Sequence, residues 1–222
     1  MPNRTGRNSD MKLMDYPPGN RQHGFSLIEL LFAMAIFLII LAAITSAFIS
    51  QRKAYNAQEQ VTEMTQGARS AMDMLSTEIR QAGYNPANIS NFVGIPYSTS
   101  QLQLLADLKG DADPSPPDGD TSDPNENIIY TYDSDNLRIN RNDVNTEDVA
   151  YAFAENIQGH TVRYLEGDGV TEVLSADDNS KIRQIEIKIV VRTSEPDPDY
   201  SENNGYRSYT LTSRITPVNL GL

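Results

Sequence analysis

Two stretches of the 222-residue sequence hold acids in settings that call for a chemical reason. Glu29 is the single charge in the 25 residues from Phe25 to Ile49, FSLIELLFAMAIFLIILAAITSAFI. A carboxylate in such a run costs about 2.5–3.5 kcal/mol at the centre of a bilayer on insertion scales, and less near an interface. It either snorkels to the interface or pairs with a cation at its own depth. The second stretch, Gly110 to Asn127, has six acids, four prolines and no base. There Asp118, Asp120 and Asp123 are closely spaced hard oxygen donors, the chemistry of calcium binding. Their spacing departs from the EF-hand loop, where glycine follows the third ligand. The plain reading of this stretch, and of Thr193–Gly205 with four acids and two prolines, is a mobile, solvated loop.

Other chemistries lack their residues. Cysteine is absent, which removes disulfides, thiolate nucleophiles and Cys-based metal sites. The two histidines, His23 and His160, are too few for a zinc site with several His ligands. A Ser-His-Asp triad would have to use His160, which lies between Gly159 and Thr161 and reads as a strand-edge residue. There is no Gly-rich phosphate loop, no G-x-S-x-G elbow and no metal-spaced His pair. Asp177-Asp178 lies in polar, turn-like sequence with no apolar run to shift a pKa. The expectation is a protein that is not an enzyme and needs no cofactor, calcium excepted. Eighteen Lys and Arg against thirty Asp and Glu give a formal charge of −12, contrary to the basic stripe a nucleic-acid binder needs.

The elements around Glu29 follow from the pattern. At about 1.5 Å per residue, the run from Phe25 to Ile49 spans roughly 37 Å as a helix, enough for a hydrocarbon core of about 30 Å. Residues 1–24 are polar and aperiodic, with four bases and two acids. Signal peptidases cut after apolar regions of about 7–15 residues, so this run is too long for them, and the helical pattern passes through Thr45-Ser46-Ala47 unbroken. Arg52 and Lys53 follow the span at once, which leaves the charge bias a weak guide to orientation. No proline occurs between Pro18 and Pro86. Beyond the span, Ala57, Val61, Met64, Ala68, Ala71, Leu75, Ile79 and Ala82 draw one stripe at steps of three and four. Glu59, Glu63, Arg69, Asp73, Glu78 and Arg80 occupy the opposite face. Gly83 provides a C′ stop before Pro86. One helix of about 58 residues results. Its Ala- and Met-rich stripe suits packing on the chain's own sheet better than a Leu/Ile coiled coil.

The junction Gln22-His23-Gly24-Phe25-Ser26-Leu27-Ile28-Glu29 resembles the cleavage and methylation motif of type IV prepilins and type II secretion pseudopilins. It has glycine before the cut, phenylalanine after it, glutamate five residues into the mature chain, and an apolar helix from the cut onward. The resemblance implies that a membrane aspartyl peptidase and methyltransferase cuts between Gly24 and Phe25 and methylates the new amine of Phe25. It also implies that Glu29 sets subunit register against an N-terminal amine during assembly. Ser76–Tyr84, Asn127–Tyr132, Ile182–Ile187 and Ser213–Leu220 look like blocks of the PilW family of minor pilins, and the pseudopilin GspJ family is similar in plan. Implied partners are other major and minor pilins, the prepilin peptidase, the inner-membrane assembly platform and a tip adhesin. The implied setting is the bacterial inner membrane with the C-terminal domain in the periplasm, then a pilus at the cell surface.

From Tyr84 onward the pattern is short strands: Ser100–Ala106, Asn127–Tyr132, Asp135–Arg141 after a turn at Asp133–Asn136, Val149–Ala154, Thr161–Leu165, Val170–Leu174 returning from a turn at Glu166–Gly169, Ile182–Arg192, and Tyr206–Ile215. Along Ile182–Arg192, Ile185, Ile187, Ile189 and Val191 alternate with Glu186, Lys188 and Arg192. The expected fold is α+β: a long N-terminal helix, transmembrane in its first half and amphipathic in its second, packed on an antiparallel sheet. The expected divisions are 1–24, a leader that is removed; 25–49, the transmembrane half; 50–83, the amphipathic half; and 84–222, an acidic β-rich domain.

Overall fold

The structure, a computed structural model, describes residues 24–111, 115–146 and 149–220. Apart from Gly24, the expected leader lies outside the described residues, as do Gln22 and His23 of the junction. The chain falls into two units that part between Gln51 and Arg52.

Helix α1 (Leu27–Gln81) begins two residues after the expected start, with the Ser26 carbonyl accepting from the Glu29 and Leu30 N–H groups at 3.1 and 3.2 Å. As far as Gln51 its residues are exposed on every face, Phe32, Ile36 and Ile39 among them. The Thr45 hydroxyl donates to the Leu41 carbonyl at 2.8 Å, so the helix satisfies that polar group itself. This part is long and apolar enough to cross a membrane.

From Arg52 onward the same helix belongs to a packed domain. The expected stripe is the packed face: Ala57, Val61 and Met64 are half-buried, and Ala68, Ala71, Leu75, Ile79 and Ala82 are buried, joined by Met72. Gly83 ends the helix at φ +85°, where an L residue would be strained. Its N–H donates to the Leu105 carbonyl at 2.9 Å, and the Leu105 N–H donates to the Gly94 carbonyl at 2.8 Å. A Cβ on Gly94 would come within 2.3 Å of the Gly83 Cα, so this close approach needs glycine at 94.

The described residues form seven strands in two antiparallel sheets, where the sequence suggests one. β1 (Gln101–Leu105), β2 (Asn127–Asp133), β3 (Arg138–Asp143) and β4 (Tyr151–Ala154) pair in chain order. β5 (Ile157–Leu165), β6 (Gln184–Arg192) and β7 (Ser208–Ile215) form the second sheet, also in order. The division falls at Asn156, whose φ of +59° redirects the chain between β4 and β5. Its carbonyl accepts from Arg192 N–H, and Ile157 N–H donates to the Leu137 carbonyl. Ile185, Ile187, Ile189 and Val191 all point into the core, which joins both sheets to the helix stripe around Tyr130, Leu102 and Ile139.

Val170–Leu174 is not a strand; a single bridge joins Leu165 to Glu172. The Asp168 carboxylate captures the Val170 and Thr171 amides at 2.9 Å each, and so takes donors that a ladder would need. β3 starts at Arg138 and not at Asp135, because residues 134–137 are spent in the turn, which Asp133 closes by accepting the Asn136 amide.

Candidate functional site

The Gly24–Phe25 peptide bond stands just outside the helix, upstream of the Ser26 carbonyl that accepts the first helical bonds. Gly24 and Phe25 are exposed, and a Cβ at Gly24 would meet nothing within 4 Å. The glycine is therefore not required by packing or by its backbone conformation. Glu29 lies in the first helical turn, four residues from Phe25 and thus about one turn along the helix. A new amine at Phe25 would place a positive charge near Glu29 and near the carboxylate of any neighbour in the same register, at the helix end where a carboxylate is favoured.

Residues 19–45 match the family model of the prokaryotic N-terminal methylation motif. The N-terminus of the chain is of the prepilin type. The match takes in Gly24, Phe25 and Glu29 and continues into the apolar helix. Among solved structures, a type IV-like pilin from Thermus thermophilus is similar at 13% identity, over 71% of this chain and 98% of that one, with a TM-score of 0.43. No curated protein matches the chain.

Downstream of the methylation motif, the acidic stretch forms a second cluster, arranged differently from the expected trio. Donor atoms of Asp111, Asp118 and Asp123 lie within 4.8 Å of one another, and so do those of Asp120, Asp123 and Glu126. The expected Asp118 and Asp120 thus fall in different triads, joined at Asp123. Asp111 and Glu126, which sequence spacing did not single out, complete them. Nor is the segment solvated throughout, because Asp123 and Glu126 are buried. Glu126 fixes the loop: one carboxylate oxygen accepts from the Leu108 and Lys109 amides at 2.7 and 2.8 Å, the other from Asp123 N–H at 3.2 Å. Asn145 Nδ2 donates to the Thr121 and Asp123 carbonyls at 2.7 and 2.6 Å. Burial raises the Asp107 carboxyl above the usual range against the pull of the Gly119 and Asp118 amides, and the Asp118 and Asp120 charges push the same way as burial. Burial also raises Asp123, with help from Glu126, Asp118 and Asp111 and against a smaller pull from Lys109. Asp120 is held low by the Ser122 hydroxyl and amide.

One polar group on the helix has a role its place in the sequence pattern does not reveal. Glu78, expected on the solvent face, is half-buried. It accepts from the Tyr130 hydroxyl at 2.6 Å and pairs with Arg141 at 3.0 Å, which also donates to Asn125 at 3.2 Å. Tyr130 stacks edge-on against Phe153, with centroids 5.0 Å apart. Burial and the Glu78 charge raise the Tyr130 pKa, so the hydroxyl stays protonated and the group works as a tie between helix and sheet. His160 lies within β5, not at the edge of a strand that starts at Thr161, opposite Ile189 and 5.9 Å from the Tyr132 ring. Burial lowers its pKa to about 4. Among the described residues no side chain hydrogen-bonds its imidazole.

Proposed function

We propose that the chain is a type IV pilin-like subunit, made as a prepilin and used as a minor pilin that helps prime pilus assembly at or near the tip. In this reading the leader 1–24 is cytoplasmic and is removed by the prepilin peptidase, and Phe25 becomes the N-methylated terminus. Residues 25–49 then hold the subunit in the inner membrane, 50–83 carry the stripe that seats the domain, and 84–222 face the periplasm until the subunit enters a filament. Its partners are other major and minor pilins, the assembly platform and a tip adhesin. The observation that carries the reading is the methylation motif over residues 19–45, with Gly24-Phe25 immediately ahead of an exposed apolar helix and Glu29 one turn inside it. The long helix seated on antiparallel sheets supports it. The blocks that resemble PilW favour a pilus over a secretion pseudopilus of GspJ type.

Intact mass of the membrane-extracted protein tests the processing step. The expected species begins at N-methyl-Phe25. A chain beginning at Met1, or within Ser46–Phe48, would sink the pilin reading. Deleting the gene and scoring surface pili beside secreted enzymes separates the two assignments, since a loss of secretion with normal pili would make the chain a pseudopilin.

A further inference from the structure

Asp123 has 7% of its surface exposed and Asp107 has none. Among the described residues, the Asp123 Oδ2 has no hydrogen-bond partner, whereas the Asp107 carboxylate faces the Gly119 and Asp118 amides. No Lys or Arg forms an ion pair with Asp107, Asp111, Asp118, Asp120, Asp123 or Glu126 among those residues. An ionised carboxylate taken out of water without a partner costs several kcal/mol. Natural folds tolerate that where a cation supplies the missing charge.

We infer that the loop between β1 and β2 is a calcium site built on Asp123, with Asp111 and Asp118 as its first partners. The geometry suits the ion. Oxygens on opposite sides of a calcium at 2.3–2.6 Å stand about 4.6–5.2 Å apart, and the Asp111, Asp118 and Asp123 donors fall within 4.8 Å of one another. The choice between the two triads follows from what their oxygens already do. Both Glu126 oxygens are committed to backbone amides, and Asp120 Oδ1 accepts from the Ser122 amide and hydroxyl at 2.8 and 2.7 Å. Among the described residues, the Asp118 carboxylate is engaged only by a long 3.4 Å contact from the Asp120 amide, and Asp123 Oδ2 is unspent. Glu126 and Asn145 hold the backbone around Asp123 in place, so little ordering remains to oppose binding. Asp107 lies against the 118–120 turn, which the site's charge would also reach. An all-carboxylate donor set at the protein surface suits calcium, whereas zinc would call for nitrogen or sulfur. Magnesium demands octahedral geometry and gives up its water reluctantly. The inference does not depend on the pilin reading, because it uses only the domain's own carboxylates.

Calorimetric titration of calcium into the full-length, EDTA-treated chain in detergent tests it. The expected result is a single ion per chain with a Kd on the order of 10⁻⁴ M, the range of extracellular modules, and a melting point that rises with calcium and not with equal magnesium. Asp123→Asn and Asp118→Asn should each weaken binding about tenfold or more. Asp177→Asn, at an exposed acid in the 3₁₀ turn Ala176–Lys181, should bind as the wild type does. In EDTA, Asp123→Asn should melt no lower than wild type, since it removes the unpaired charge; a purely structural role would lower it. Absence of both heat and melting shift at millimolar calcium would overturn the site, as would undiminished binding in the two variants. Should Asp123→Asn fail to fold, the exposed Asp118→Asn decides alone.

Discussion

Among the described residues a Cβ at Gly24 would meet nothing within 4 Å, so a bulky residue there is expected to act on the proposed cleavage and not on the fold. Gly24→Leu is expected to leave a full-length, membrane-held chain whose domain melts at the wild-type temperature; immunoblots with a melt of the extracted protein check both halves. Glu29→Gln should be processed normally and fold normally, yet enter filaments at severalfold lower yield, because it removes only the charge that would meet an N-terminal amine. Unchanged incorporation beside the other pilins would defeat that role. His160 gives a pH test. Its folded pKa of about 4 lies below the ordinary 6.5. The unfolded chain therefore binds more protons between those values, and stability falls as pH drops through that window. The loss is at most about 3 kcal/mol by pH 4. His160→Phe should show a smaller loss between pH 6.5 and 4 in paired thermal melts. These residues were legible to different degrees. Gly24, Phe25 and Glu29 form a local pattern along the chain. Glu78 could not be found that way, because its partners Tyr130 and Arg141 are 52 and 63 residues distant.

At the scale of elements, the helix stripe and the β6 alternation were readable because burial has the period of the element that presents it. Sheet division was not, since it turns on Asn156 adopting a left-handed conformation and on two long-range backbone bonds, one from Arg192 of β6 and one to Leu137 in the turn before β3. Nor was the failure of Val170–Leu174 to extend: Asp168, the residue that marks the turn, also withdraws the amides that would have paired. Glu78 shows how the helix is fixed to the first sheet. Removing it leaves Arg141, with 8% of its side chain exposed, as an uncompensated charge. Glu78→Ala should therefore destabilise the domain by about 3 kcal/mol. Glu78→Leu with Arg141→Met should lose much less than the two single changes summed, since neither charge then remains. Urea melts of the four proteins measure the coupling, and additive losses would show that the pair is not the tie.

For the whole molecule, charge bears on how many copies sit side by side. Residues 1–24 carry four bases and two acids, so the proposed cleavage would take the chain from −12 to −14. A shaft subunit must repeat that charge among identical neighbours. Screening at physiological salt reaches only about 8 Å, so close-packed copies still repel one another. A subunit used once or a few times, between pilins of other sequence, avoids the repetition. The acidic segments are not idle loops that a shaft could fold away: Glu126, Asp123 and Asn145 hold one in place, while Asp197 pairs with Arg207 at 2.9 Å in the other. Calcium at Asp123 would cancel two charges in each copy and leave the sign unchanged. The chain is therefore expected to be scarce in filaments. Quantitative mass spectrometry of sheared filaments should find it far below the dominant pilin, whether they are prepared with calcium or with EDTA. Finding it as the principal subunit would overturn the minor-pilin assignment, and finding it so only with calcium would mean that bound cations, not other subunits, neutralise the array.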